Sequence, residues 1–469
     1  MTADQLKDLF EEIERRSGEA LARLERLVHQ PSVSAGGEGI EEMALIVARE
    51  IRALGGRVEV VRSGGFPVVV GRLPGRSSRR LLIYNHYDVQ PPEPLEAWDQ
   101  PPFEPTLREG RLWARGTADN KGDFAARLAA VEAWQRTRGN LPVEIVWVVE
   151  GEEEIGSPNL ETFAERHADL LQAEGCLWEF GRRLSSGSLE ITLGMKGMAY
   201  LELKAVGAAA DQHSSLAPLV PNPAWRLVWA LASLKDPGEE ILLQGFRDGI
   251  ASIPPVSTRL LEGMEQDDRR ELARLGLDSF LLGASGEAAL QRLHFEPTCN
   301  ICGLTAGYQG PGPKTVLPAE ASAKLDLRLL PGQDPRIVPE LIRSHLARRG
   351  LGDIEVRMLA GEAAAMTEPT DPFVAAAENA ARLVYAREPQ VVPISPATGP
   401  IHALCHRYGT PAVSFGVGNP DSRIHAPNEN IRVEDFVLGI KQVAALLSLL
   451  AEPAEPARSE GSPESNRCL

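Results

Sequence analysis

The sequence predicts an α/β protein in which one layered domain is interrupted by a second domain of α+β type. The runs at 81–85 and 143–149, apolar but for Asn85 and Glu144, have the composition of strands buried on both faces of a sheet. Helical periodicities fall before, between and after them, the alternation expected of helices layered on a sheet. Beyond Gly194 the pattern changes to the order βαββαβ, and from about residue 366 the first pattern returns. The length of 469 residues exceeds the roughly 100–200 of one ordinary core and leaves room for both domains.

Taken in order, Leu6, Phe10, Ile13, Leu21, Leu24 and Val28 recur at helical spacing and predict an amphipathic N-terminal helix. A second helix carries Ile40, Met43, Val47, Ile51 and Leu54 on one stripe and stops at Gly55-Gly56. Strands follow at 57–62, 67–72 and 81–85. A Pro-rich stretch then leads to Leu112-Trp113-Ala114 and a helix over 122–136. The strand at 143–149 runs into an acidic loop, after which Ser157 and Pro158 suit the start of a helix.

The second domain reads as strand 198–206, helix 224–234, strands 298–304 and 320–330, helix 335–347 and strand 354–359. In the strand at 320–330, Leu325, Leu327 and Leu329 alternate with Asp326 and Arg328. That order is a ferredoxin-like sandwich, with a mostly helical insertion over about 235–295. The first domain resumes with helices 372–385 and 401–408, a strand at 411–416 and a last helix over 433–450. The expected division is 1–194 with 366–451, then 195–365. The Pro/Ser/Glu-rich stretch 452–469 has no periodicity and is expected to be disordered.

Composition excludes several classes. The 49 Lys+Arg against 65 Asp+Glu leave a net charge of −16, which disfavours nucleic acid and anionic lipid as partners. No apolar run reaches the roughly 18 residues of a membrane span. The first ten residues hold Asp4 and Asp8 without an apolar core, so no signal peptide is expected and a cytoplasmic protein is. Five cysteines are an odd count and indicate no disulfide framework. Cys299 and Cys302 have C-x-x-C spacing, but on a strand such positions face opposite sides, and Cys176, Cys405 and Cys468 stand apart.

Candidate chemistry sits in loops just after the first domain's strands, where an open α/β sheet collects ligands. His86-Tyr87-Asp88 leaves the strand at 81–85. His86 alone reads as a core histidine, yet Asp88 is placed to fix a metal-binding imidazole. Asp119 reads as a helix cap. The run Glu150-Gly151-Glu152-Glu153-Glu154 reads as a solvated face or a complement to a helix dipole, but four acids at the end of a buried strand repel one another, and bound cations relieve that. Glu179 follows Cys176-Leu177-Trp178, and His425 lies before the last helix. His86, Asp119, Glu154, Glu179 and His425 form a mixed imidazole and carboxylate set suited to zinc, with manganese or cobalt able to replace it. Five ligands exceed one catalytic zinc and fit two metals about 3.5–4 Å apart sharing a carboxylate. An adjacent glutamate is then free to act as general base.

These segments carry a resemblance. HYDVQP at 86–91, GTADNKG at 116–122, EGEEEIGS at 150–157, CLWE at 176–179 and IHAPNE at 424–429 resemble the co-catalytic dizinc metallopeptidases that include carnosinase-type dipeptidases, aminoacylase and carboxypeptidase G. The resemblance implies an aminopeptidase-like (phosphorylase/hydrolase-type) α/β/α catalytic domain with an inserted lid and dimerisation domain. It implies that His86 and Glu179 bind one metal, Glu154 and His425 the other, and that Asp119 bridges. Glu153 is then the general base, Asp88 orients His86, and a cis peptide is expected at Asp119-Asn120.

The lid matches too. DQHSS at 211–215 resembles the family's D-L-H-S-G, whose histidine, here His213, reaches across a homodimer to stabilise the oxyanion. Thr315 and Arg328 fall in segments, 312–316 and 325–328, that resemble the family's substrate-holding lid segments, and the resemblance implies that Arg328 grips the substrate's free carboxylate. Pro396-Ala397-Thr398-Gly399 stands where relatives have Gly-Gly-Thr-Gly, and places Thr398 and Gly399 on the substrate-facing wall. The implied activity is hydrolysis of dipeptides or similar small amides with a free carboxylate. HYDVQP and the lid's length lean toward dipeptides, with N-acyl amino acids as the alternative substrates.

Other readings are weaker. The loop at 307–315 looks like a phosphate-binding loop, but Pro313 replaces the glycine needed before the lysine. His402 and His406 have i, i+4 spacing without the glutamate of H-E-x-x-H and read as part of an ordinary helix. His29, His167, His294 and His345 have no partner motif. No G-x-S-x-G elbow is present. A metal-stabilised scaffold without activity is the non-enzyme alternative, opposed by the complete donor set with Glu153.

Overall fold

The computed structural model describes residues 2–264 and 266–451, so the predicted tail lies outside the described residues. An eight-stranded sheet runs in the order Arg57–Val61, Val68–Leu73, Glu144–Glu150, Arg80–His86, Gly175–Trp178, Ala412–Ser414, Glu190–Thr192, Gln390–Val392. Its centre is parallel, and the first two strands pair antiparallel. The sheet is apolar on both faces because helices cover both. Leu81, Ile83, Ile145 and Trp147 face a core built with the helices Ile40–Ala53, Lys121–Arg138, Pro372–Tyr385 and Val433–Leu450. Leu82, Tyr84, Val146 and Val148 face a second core with Phe163 and Leu404. Each such large buried side chain contributes about 1.5–3 kcal/mol of transfer free energy.

The N-terminal helix is two. Lys7–Arg15 and Ser17–His29 meet at Arg16, where Ser17 Oγ turns back to the Glu14 carbonyl and Gly18 gives little helical support. The predicted helix over 401–408 also breaks, at Cys405 (φ −120°, ψ −67°), into Ile401–Leu404 and one 3₁₀ turn. Ser157 does not start a helix. It takes a left-handed backbone (φ 48°) and donates to Glu150 Oε1 at 2.9 Å, and the helix begins at Leu160 after Asn159. Asp119 is likewise not a cap, since Asn120 holds that place.

The second sheet has four antiparallel strands in the order Asn300–Ala306, Glu320–Leu329, Gly197–Val206, Glu355–Glu362. With the helices Pro223–Leu234 and Val338–Ala347 it encloses a separate core containing Leu201, Leu203, Leu325, Leu327 and Ile342. The chain passes between the sheets through Gly194–Met195 and Ala365–Met366, which pair with each other. The helical insertion does not stay with the second core: Leu290 and Phe295 pack on Ile394 of the first domain. His294 Nδ1 contacts the Ile394 carbonyl at 2.6 Å. Among the described residues no helix is long and apolar enough to cross a membrane.

Candidate metal centre

Two loops leave neighbouring strands at the same end of the sheet. His86 closes Arg80–His86, and Glu179 follows Gly175–Trp178. Beneath them the buried Arg127 guanidinium donates to the Tyr84 carbonyl at 2.6 Å and to that of Trp178, while the Tyr84 and Trp178 rings stack at 3.9 Å. The strand ends that deliver His86 and Glu179 are thereby tied together. Asp88 stands behind His86, with Oδ1 3.4 Å from Nδ1. The same carboxylate accepts the backbone N–H groups of Glu153 (3.3 Å) and Glu154 (3.0 Å), which fixes the acidic loop.

Asp119 lies at the middle of the cluster. Its Oδ1 is 2.9 Å from His86 Nε2 and its Oδ2 is 3.1 Å from His425 Nε2, so one carboxylate faces two imidazoles with different oxygens. Glu179 Oε2 lies 3.4 Å from His86 Nε2, and Glu154 Oε2 3.1 Å from His425 Nε2. The structure thus brings all five candidate donors together, and ligand atoms of His86, Asp119 and Glu154 converge within 4.8 Å. The Asp119-Asn120 peptide is cis.

The electrostatics are those of a site designed around positive charge. Burial alone would lower the His86 pKa, but the Glu179, Asp119 and Asp88 carboxylates hold it well above the usual value. Hydrogen bonds to Asp119 and Glu154 raise His425 to about 10. Burial and then the neighbouring Glu153 push Glu179 well up, and burial brings Glu153 to about 8. Glu179 Oε2 is buried without a hydrogen-bond donor. Crowded carboxylates, two imidazoles aimed at one of them and an orphaned oxygen fit a divalent-metal site.

The structure also sorts the acids that look alike in sequence. Glu150 is buried and accepts from Tyr84 and Ser157, and Glu152 accepts from the Phe66 backbone N–H and Asn159. Both are occupied by these structural partners, whereas Glu154 faces His425.

The sequence profile of peptidase family M20/M25/M40 matches residues 82–449, most of the chain. The chain belongs to this family. It is 27% identical to the Cys-Gly metallodipeptidase of Schizosaccharomyces pombe, over 95% of this chain and 98% of that one. It is also 27% identical to the Beta-Ala-His dipeptidase of Rattus norvegicus, over 95% and 96% respectively. The M20-family metallo-carboxypeptidase Sso-CP2 of Sulfolobus solfataricus superposes with a TM-score of 0.88 at 37% identity, covering 92% of this chain and 99% of that one. The sequence resemblance therefore led to the right family, and the chain is a metallopeptidase of the dipeptidase-like kind.

The other family positions fall outside the cluster of five. His213 is exposed on the second domain, where Nδ1 meets Ser215 Oγ at 2.9 Å and Nε2 meets Thr315 Oγ1 at 3.3 Å. Those two candidates are together, and their hydrogen bonds involve none of the five donors. Arg328 is gripped by Asp326 at 3.0 Å and donates to Thr398 Oγ1 at 2.6 Å, which links the second domain to the wall of the first. Gly399 packs closely: a Cβ there would lie 2.9 Å from Met195 Sδ, which would have to shift, and 4.0 Å from Glu179 Oε1.

Cys299 is buried and Cys302 exposed, as opposite-facing strand positions should be, although the strand begins only at Asn300. Glu429 and Arg115 are the residues that sequence reasoning missed. Glu429 was visible only as the last letter of IHAPNE, yet it is fully buried and accepts the backbone N–H groups of Gly116, Ala118 and Asp119 at 2.8–3.0 Å. A buried arginine in the same loop as Asp119 is the one signal that could have called for such a partner.

Proposed function

We propose that this chain hydrolyses the amide bond of dipeptides and comparably small substrates with a free C-terminal carboxylate. The observation that carries the reading is the pair of contacts from the two oxygens of Asp119 to His86 and His425. In this reading two divalent ions would be held by these five residues, His86 and Glu179 serving one, Glu154 and His425 the other, and Asp119 both. Zinc suits these donors best, and manganese or cobalt is an alternative. When bound, two such ions polarise the scissile carbonyl and make a water acidic enough to be a nucleophile at neutral pH.

Glu153 takes a proton from the attacking water and passes it to the leaving amine. In support, the Asp88 carboxylate accepts the Glu153 backbone N–H beside the cluster. Asp88 also fixes the His86 ring. Arg328, held by Asp326 and Thr398, binds the substrate carboxylate, with Thr398 and Gly399 forming the adjacent wall. His213 and Thr315 act on a partner's substrate, His213 as oxyanion donor.

This last role requires a homodimer formed by residues 195–365, a ferredoxin-like lid inserted into a catalytic domain of 1–194 and 366–451. In support, Trp225 (58% exposed) and Trp229 (55%) stack on one helix face, and the edge strand Asn300–Ala306 exposes Ile301 and Leu304. The four cysteines among the described residues are free thiols, in keeping with a cytoplasmic enzyme.

Glu153→Ala tests the reading. Hydrolysis should fall by at least about 100-fold with metal content unchanged, and undiminished turnover would overturn the assignment. A second reading, carboxypeptidase action on longer peptides, is favoured by the 37% identity to Sso-CP2. Assay of dipeptides, longer peptides and N-acetyl or N-succinyl amino acids with zinc- or manganese-loaded protein separates the substrates.

A further inference from the structure

The five candidate ligands are not held alike. His86 and Glu179 sit on strand ends that Arg127 ties together. Glu154 lies in a 3₁₀ turn, and His425 in an exposed loop with a left-handed backbone (φ 61°). Its flanks are held by the pairing of Asn430–Arg432 with Arg111–Trp113 and by Asn428, which accepts from the Asp99 backbone N–H, and behind it lies a buried ion pair remote from solvent. Arg115 Nη1 donates to Glu429 Oε2 at 2.8 Å, and the two residues are 1% and 0% exposed.

Stability is a poor reason for such a pair, because desolvation offsets most of its attraction and apolar replacements often do as well. Its contacts suggest another. Glu429 Oε1 accepts from Ala118 and from the backbone N–H of Asp119 itself, and Oε2 from Gly116. Arg115 Nη2 donates to the Pro91 carbonyl at 3.2 Å, on the loop that follows His86. Arg115 Nη1 also reaches the carbonyl of Ala426, beside His425, at 3.5 Å. One ion pair therefore touches the loops of His86, Asp119 and His425.

We infer that Glu429, clamped by Arg115, is a positioning residue that sets the spacing between Asp119 and His425 and so allows a second metal ion to bind. The strand Asn430–Arg432 also pairs with Arg111–Trp113, but among the described contacts only Glu429 reaches the backbone N–H of Asp119 itself, whereas the His86 and Glu179 side has Arg127. Loss of the clasp weakens the ion of Glu154 and His425 and spares the ion of His86 and Glu179. The inference rests on the two-metal reading above.

The test uses the full chain titrated with Mn²⁺, in wild type, Glu429→Gln and Arg115→Lys, read by calorimetry and by electron paramagnetic resonance. Wild type should take up two equivalents with an exchange-coupled signal. Glu429→Gln should bind the first equivalent nearly as wild type and the second at least about tenfold more weakly, a typical effect of losing a group that supports a ligand. Its spectrum should become that of isolated Mn²⁺. Arg115→Lys, which keeps a cation but cannot reach all three partners, should show the same pattern more weakly. Two coupled ions of wild-type affinity in Glu429→Gln would overturn the inference, as would equal weakening of both equivalents. If Glu429→Gln does not fold, Arg115→Lys decides by the same readouts, and failure of both to fold assigns the pair to stability instead. Fewer than two ions in wild type would refute the two-metal reading itself.

Discussion

The Asp88 carboxylate accepts the backbone N–H of Glu154 at 3.0 Å, across 66 residues of chain. Asp88 Oδ1 also lies 3.4 Å from His86 Nδ1, which meets the Asp88 backbone carbonyl at 3.1 Å, so one residue faces both an imidazole and the acidic loop opposite it. Asp88→Asn keeps the volume and removes the charge. It should weaken metal binding about 10- to 100-fold, measured by competition with a chelator. Affinity equal to wild type would show that the Asp88 charge does not support the site.

Arg328→Lys should raise KM about 10- to 100-fold, the scale of a charge-assisted hydrogen bond, with a smaller change in kcat. Lysine keeps the charge but cannot contact Asp326, Thr398 and a substrate carboxylate in one plane. Steady-state kinetics on a dipeptide and on its C-terminal amide check this. An equal loss on the amide would remove Arg328 from carboxylate recognition.

Lys196 gives stability a pH dependence. Its ammonium is buried and donates to the Leu293 and Glu296 carbonyls, and burial lowers its pKa from 10.5 to about 8. Between those values the unfolded chain holds a proton that the folded chain has released. Wild type should therefore gain stability as pH rises through that window, by up to about 1.4 kcal/mol per unit. Lys196→Met should lack this increment, so urea midpoints of the two proteins should shift apart in favour of wild type from pH 8 upward. Parallel midpoints would refute it.

Trp225→Glu combined with Trp229→Glu places charge on the exposed helix face. Light scattering should give two chains for wild type and one for the variant. With His213 acting on a partner's substrate, activity should fall together with dimer content. A monomeric variant of full activity would separate His213 from catalysis.

Much of the fold was legible because burial leaves a direct mark on composition. The run at 81–85 becomes Arg80–His86, and the last helix falls at Val433–Leu450 as its periodicity required. Breaks were not legible. At Arg16 and Cys405 the apolar spacing continues across a turn whose cause is a backbone conformation, which carries no periodic signal. In the site, the motifs marked which loops carry the chemistry but not how neighbouring acids divide the work. Glu150 and Glu153 differ only in their partners, Tyr84 and Ser157 in one case and the crowded cluster in the other. Glu429 was opaque for the same reason, since its partners lie more than 300 residues back along the chain.

The parallel pairing of Ala412–Ser414 with Gly175–Trp178 has a consequence for the order in which the molecule is made. During synthesis the strand that leads to Glu179 emerges long before its neighbour and stays an open edge while the intervening residues are translated. The four-stranded sheet has its own core and all its strands by Glu362, so it can fold while that edge waits. Such distant pairings close slowly. His425 arrives after both, so the cluster of His86, Asp119, Glu154, Glu179 and His425 is completed among the last events of biogenesis, and a nascent chain halted before Ala412 has neither a finished sheet nor that cluster.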